Sequence, residues 1–248
     1  MKAAPEIQRR LLDLQAVDTR VQQIDHARRT LPQHAALEEA STRLQEASDE
    51  VVRVETMLSD IGREATRAEG DVQQVRDRAV RDQQKLEAGT GMTSRDLTAL
   101  QGELESLARR QSELEDIELE VMERQEAAQE RLTEAGAAKE EASAQVARIT
   151  GERDAALAEL DAERTKVLAP REELVAGVEE PLLALYDRLR ENSGGLAAAE
   201  LLHGRCGGCR LELNPVDLTA IEKAAPDEVV RCEECGRILV RTGADTAA

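Results

Sequence analysis

The chain has 248 residues, 41% of them hydrophobic and 34% charged, with no Phe, no Trp and a single Tyr, Tyr186. A globular core of this length uses aromatics for bulk, so their absence beside abundant Ala, Glu, Arg, Gln and Leu argues against one large packed domain and for long coiled-coil helices. With 51 acidic against 33 basic residues the formal net charge is −18, so phosphate backbones repel the chain as a whole and any nucleic-acid contact needs a local basic patch.

Residues 1–18 are charged and periodic, without the apolar centre of a signal peptide. No apolar run approaches the roughly 20 residues that span a bilayer. The expected compartment is the cytoplasm, where paired cysteines favour metal over disulfide.

From Ile7 the apolar residues recur at alternating steps of three and four: Ile7, Leu14 and Val21 in one row, Val17, Ile24 and Leu31 in the other. That register fails after Leu31, Pro32 follows, and a new one starts at Leu37 and runs by sevens to Leu86. Its companion row is Ala40, Ala47, Val54, Ile61, Ala68 and Val75. A skip in the heptads plus a proline predicts a kink near 31–36.

Gly89 and Gly91 end this helix near 88–94, and Thr93 or Ser94 can cap the next, with Asp96 in its first turn. The second helix carries one row through Leu100, Leu107, Leu114, Val121, Ala128, Ala135, Ala142 and Ile149. The other row, from Leu97 and Leu104, is interrupted by Gln111, Glu118, Gln125, Lys139 and Arg153. Polar seam positions lower stability but help fix register. Two seams of similar length joined by a short turn read as an antiparallel hairpin, and some 80 residues per helix give an arm on the order of 120 Å.

Centring the turn near residue 92 sets Pro32 opposite Gly151. Pro170 and Pro181 break the second helix near 170–181, and a last amphipathic helix from Glu180 stops at Asn192-Ser193-Gly194-Gly195. Tyr186 is read as packing between that helix and the cysteine-bearing C-terminal segment.

Cys206-x-x-Cys209 and Cys232-x-x-Cys235 are separated by 22 residues, the paired-knuckle spacing of a structural zinc site. Each pair sits between short apolar segments, as a knuckle at a hairpin tip, and Gly207, Gly208 and Gly236 are expected to supply the backbone freedom of the turns. Asn214-Pro215 caps a short helix ending near Ala224. Four thiolates complete a zinc tetrahedron and leave no position for water or substrate, so the expected Zn²⁺ is single and structural. A redox dithiol and an iron–sulfur site are disfavoured by two separated pairs with no βαβ context and no third spacing. His203, three residues before Cys206, is surplus to the ligand count.

Arg205, Arg210, Arg231, Arg237 and Arg241 flank the knuckles and are the candidate phosphate or partner contacts. Residues 193–248 nevertheless hold nine acidic against six basic residues, which favours arginines that offset the charge of a four-thiolate centre.

The expected fold is therefore mainly α: a long antiparallel coiled-coil hairpin over 1–191, a small β-rich zinc ribbon over 192–243, and a disordered tail over 244–248. The motifs Cys206-Gly207-Gly208-Cys209 and Cys232-Glu233-Glu234-Cys235-Gly236-Arg237-Ile238-Leu239 make the chain resemble the bacterial coiled-coil plus C4-type zinc-ribbon family, often described as predicted nucleic-acid-binding proteins. Weaker echoes are residues 96–104 after the turn and Tyr186-Asp187-Arg188-Leu189-Arg190 before the ribbon. The resemblance implies zinc at Cys206, Cys209, Cys232 and Cys235. Relatives often have an aromatic after the Arg-Ile-Leu run, where this chain has Val240, so base stacking by the ribbon loses support. Some relatives are similar to adaptors linked to transcription regulators, transcripts or secretion machinery.

The leading reading is a non-enzymatic adaptor with a protein partner, in transcription or RNA-related machinery. Nucleic-acid binding through the ribbon arginines is the alternative. A factor probing RNA polymerase with its hairpin tip would need paired carboxylates there, and Glu87 and Asp96 do not make an evident pair. No phosphate loop, Ser/His/Asp arrangement or open metal position is present, so no enzyme, small-molecule substrate or membrane partner is expected. Association of two hairpins into a homodimer is left open by the Ala-rich seams.

Overall fold

The computed structural model describes residues 1–242; the expected tail over 244–248 lies outside the described residues. The fold is mostly α-helical with a small C-terminal β-sheet. The chain divides into two compact units, one of Ala35–Thr150 and one that joins Met1–His34 to the residues from Gly151 onward.

Helix α1 (Pro5–Arg29) stops two residues before Leu31, and α2 (Pro32–Ala88) opens on the proline. Helix α3 (Ser94–Leu168) follows a turn in which Gly89 and Gly91 have φ of 57° and 80°. Those left-handed values are open to glycine at no steric cost. Thr93 and Asp96 close the start of α3 reciprocally: Thr93 N donates to Asp96 Oδ2 (2.9 Å) and Asp96 N to Thr93 Oγ1 (3.3 Å).

Within Ala35–Thr150 the two helices run antiparallel. The uninterrupted row of α3 is the buried one, with Leu100, Leu114, Val121, Ala128, Ala135 and Ile149 inside. On α2 the companion row is buried at Ala40, Val54, Ile61 and Ala68, joined by Val72. Asp82 takes the place after Val75 in that row and is buried, its carboxylate held below the usual range by a hydrogen bond from Lys85 (2.7 Å).

The other unit is built around a four-stranded sheet in the order β2-β1-β4-β3. Strand β1 (Ala198–Leu202) pairs antiparallel with β2 (Arg205–Cys206) and parallel with β4 (Ile238–Val240), which pairs antiparallel with β3 (Val230–Arg231). Both faces of its centre are covered. Ala198, Ile238 and Val240 meet Leu11 and Leu14 of α1 and Leu182, Tyr186 and Leu189 of α5 (Glu180–Asn192), while Ala199, Leu201 and Leu239 meet Cys206, Cys232 and Ile221 of α6 (Pro215–Lys223). Two-sided burial is why β4 reads as an unbroken apolar run instead of alternating.

The first helix is thus part of the ribbon's support. Ala3 N donates to Asp227 O (2.7 Å) and Val229 N to Met1 O (3.1 Å), so the first residues pair with the chain leading into β3. Gln15, buried on α1, accepts from Ala197 N (2.6 Å) and Ala198 N (3.2 Å) and donates to Gly195 O (2.8 Å). Gln15→Ala orphans two buried N–H groups and is expected to cost about 2 kcal/mol. Chemical denaturation of this unit checks it, and a cost of only a few tenths refutes the bridging role.

Asp18, one turn further on, is 1% exposed and collects Tyr186 Oη (3.0 Å), Arg171 Nε (2.8 Å) and Arg190 Nε (3.4 Å). Arg171 opens the short helix α4 (Arg171–Ala176). Burial, and then the charge and hydrogen bond of Asp18, raise the Tyr186 phenol above its ordinary value near 10. A folded value above the unfolded one means this contribution to stability is whole below pH 10 and is lost as pH rises through the folded value. With one tyrosine and no tryptophan, phenolate absorbance reports Tyr186 alone. Ionisation is expected near pH 10 in denaturant and above it in the folded chain; coincident curves would contradict the buried network.

Candidate metal centre

The two knuckles repeat one backbone pattern. Cys206 N donates to Leu211 O (3.0 Å) and Cys206 O accepts from Arg210 N (2.8 Å). Cys232 N donates to Arg237 O (2.9 Å) and Cys232 O accepts from Gly236 N (2.8 Å). The fifth residue of each loop, Arg210 or Gly236, turns left-handed with φ of 61° or 71°. Arg210 accepts a conformation that glycine takes freely, so this knuckle carries local strain.

Gly207 and Gly208 are required for a different reason from the one expected, since neither is among the residues of positive φ. A Cβ on Gly207 would stand 2.9 Å from Glu200 O, and one on Gly208 would stand 2.7 Å from Arg237 Cδ. Close packing of the loop on β1 and on the second knuckle excludes side chains there. Only Gly236 serves through its φ.

This scaffold brings all four cysteine sulfurs within 4.8 Å of one another. Cys206 Sγ lies 3.8 Å from Cys235 Sγ, and Cys209 Sγ lies 3.9 Å from Cys232 Sγ. A tetrahedron with Zn–S bonds of about 2.3 Å has edges of about 3.8 Å, so the cluster has the size that a four-thiolate zinc site requires. Gly208 N points at Cys206 Sγ (3.4 Å), an amide donor suited to a thiolate.

Without a cation's charge, burial pushes the Cys206 and Cys232 thiols up, Cys232 to about 12. Burial acts against Cys235 as well, but hydrogen bonds from the Arg237 backbone and side chain and from neighbouring thiols bring it down to about 7.

The five arginines divide. Arg237 donates to Leu196 O (2.8 Å) and Ser193 O (3.0 Å), tying the loop before β1 to the second knuckle. Arg241 donates to five carbonyls between Ile221 and Glu228, Ala224 O (2.9 Å) and Glu228 O (2.7 Å) among them, and so caps the end of α6. Arg231 is exposed and donates to Gly236 O (2.7 Å). Arg205 is exposed and faces Glu212 at 3.5 Å, and Arg210 is exposed. His203, exposed at φ 46°, is outside the four-sulfur cluster.

The residues that sequence reasoning overlooked are Gln8, Gln15 and Asp18, buried on α1. Their spacing with Leu11, at steps of three and four, was the available signal: a polar stripe flanking an apolar one.

The chain matches the CT398-like coiled coil hairpin domain over residues 14–194 and the C4-type zinc ribbon domain over residues 205–239. It belongs to the CT398-like coiled-coil hairpin family, with a C4-type zinc ribbon. A protein of Mycobacterium tuberculosis is 39% identical over 241 residues, spanning 97% of this chain and 98% of the relative. A solved Mycobacterium smegmatis structure superposes with a TM-score of 0.86 at 35% identity, covering 97% of this chain and 100% of that one. CT398 from Chlamydia trachomatis shares the fold at a TM-score of 0.72 and 18% identity, over 96% of this chain and 98% of its own. In this family setting no catalytic arrangement is assembled among the described residues. Among the same residues, no helix is long and apolar enough to cross a membrane.

Proposed function

We propose that the chain is a non-enzymatic adaptor of the cytoplasm, acting in transcription or RNA-related machinery through a protein partner. In this reading Cys206, Cys209, Cys232 and Cys235 hold one structural Zn²⁺, the hairpin over 1–191 is the spacer, and the ribbon over 192–243 is the presented module. The observation that supports it is the closed four-sulfur cluster, buried at Cys206 and Cys232 on a sheet whose other face rests on α1 and α5. Such a metal stabilises a shape and has no position for chemistry. Sulfur ligation also suits a reducing compartment.

The test is affinity capture with the zinc-loaded chain and with Cys232→Ser. A protein held by the first and lost with the second supports the adaptor. The alternative, direct nucleic-acid binding, rests on the exposed Arg205, Arg210 and Arg231, since Arg237 and Arg241 are half-buried and each donate to two or more backbone carbonyls. Fluorescence anisotropy with short RNA and DNA across a salt series decides it. Micromolar binding that weakens steeply with salt and disappears on Arg210→Glu would replace the adaptor reading.

A further inference from the structure

Where α1 gives way to α2, an open cleft of about 520 Å³ is lined by Asp25, Arg28, Arg29, His34, Leu157 and Arg164. All six lie in the unit that carries the ribbon. Three of them are guanidiniums, on a chain whose net charge is −18. Two carboxylates answer them. Asp25 Oδ1 accepts from Arg164 Nε (2.9 Å) and lies 3.6 Å from Arg28 Nη1, while Asp161 Oδ1 lies 3.0 Å from Arg28 Nε. That last contact lacks the alignment of a hydrogen bond, so Arg28 Nε is buried without an acceptor. Arg29 is exposed and meets no carboxylate among the described residues. Three guanidiniums against two carboxylates leave one positive charge uncompensated in the cleft.

The backbone at this corner does not oppose an anion. The last turn of a helix leaves carbonyls unsatisfied, and they repel negative charge. Here they are covered. His26 O accepts from Thr30 N (3.0 Å) and Thr30 Oγ1 (2.9 Å), Ala27 O from Thr30 N (3.2 Å), and Arg28 O from the His34 ring (2.9 Å). We propose that this cleft is a binding site for a phosphate group, free or carried by a small molecule. A guanidinium presents parallel N–H donors that match two phosphate oxygens, and such charge-assisted bonds are shorter and stronger than neutral ones. Arg164 is anchored to Asp25 through Nε, which fixes the plane of its fork and leaves the terminal nitrogens for the ligand. The volume is ordinary for a small-molecule site and exceeds what the phosphate alone fills, with Leu157 as the apolar contact for whatever bears it. The proposal is independent of what the ribbon binds.

The experiment is isothermal titration calorimetry of the full zinc-loaded chain at low salt, with inorganic phosphate and with ribose 5-phosphate as probes. Saturable binding at one site per chain is expected. Tighter binding of the ester assigns the cleft to an organic phosphate, and tighter binding of inorganic phosphate to the free anion. Arg29→Glu breaks no ion pair and weakens binding roughly 30-fold, with helical circular dichroism unchanged because the side chain is exposed. Asp25→Asn keeps an acceptor for Arg164 but takes a negative charge out of the lining, and tightens binding several-fold. Arg188→Glu makes the same change of net charge on α5, outside the cleft, and leaves binding intact. No saturable binding of either probe up to about 5 mM, binding indifferent to Arg29→Glu, or an equal loss with Arg188→Glu overturns the proposal.

Discussion

Removing the metal, by chelation or by Cys232→Ser, is expected to melt the knuckles and α6 while leaving the hairpin helical. The sulfurs of Cys206 and Cys232 are the floor of the cluster formed by Ala199, Leu201, Leu213, Ile221 and Leu239, so this face loses both its cross-link and its packing. Structural zinc contributes about 10–16 kcal/mol in small domains, far more than these few apolar side chains can replace. The opposite face of the sheet keeps Leu11, Leu14, Leu182 and Tyr186, which need no metal. Of the helices only the nine residues of α6 are at stake, so far-ultraviolet circular dichroism should scarcely change. Hydrogen exchange should rise across residues 205–236, and zinc content should fall from one per chain to none. Acidification should do the same, because a thiol must be deprotonated to bind. Full protection of the knuckles without metal would refute the structural role of the site.

Asp18→Ala is expected to be the most damaging substitution away from the cysteines, costing about 3 kcal/mol by leaving the partners of a buried carboxylate without it. The carboxylate is 1% exposed and its three partners come from α4 and α5, some 150–170 residues away in the chain. Its loss strips the counter-charge from Arg171 and Arg190 and the acceptor from Tyr186. Asp18→Asn, which keeps an acceptor but no charge, should fall between. Guanidinium denaturation followed by the fluorescence of Tyr186, the single tyrosine, reads this unit directly. An alanine variant as stable as the parent would show that the network is incidental.

The helical hairpin was readable because heptads are local. Of the two rows on α3, the one without polar interruptions is the one buried, as packing of an apolar seam requires. The division of the chain falls between His34 and Ala35 and between Thr150 and Gly151, close to the Pro32 and Gly151 that the register sets opposite each other. Gln8, Gln15 and Asp18 were not readable in that way. Polar residues on an amphipathic helix are taken to face water, and only docking against the sheet turns them into bridges to Pro226, Ala197 and Arg171. The glycines show the same division. Gly236 follows from the turn, whereas Gly207 and Gly208 answer to Glu200 and Arg237, neighbours that the loop meets only after folding.

Local pattern was enough for the helices, their stops, the antiparallel seam and the four residues that could share a metal, since periodicity, proline, glycine and Cys-x-x-Cys spacing act within a few residues. It took the folded chain to place the first helix with the ribbon, to make Asp18 the hub of that junction, and to set Arg237 and Arg241 on carbonyls. Those outcomes depend on which buried polar groups come within about 3 Å of one another, and docking sets that distance for partners far apart in the chain.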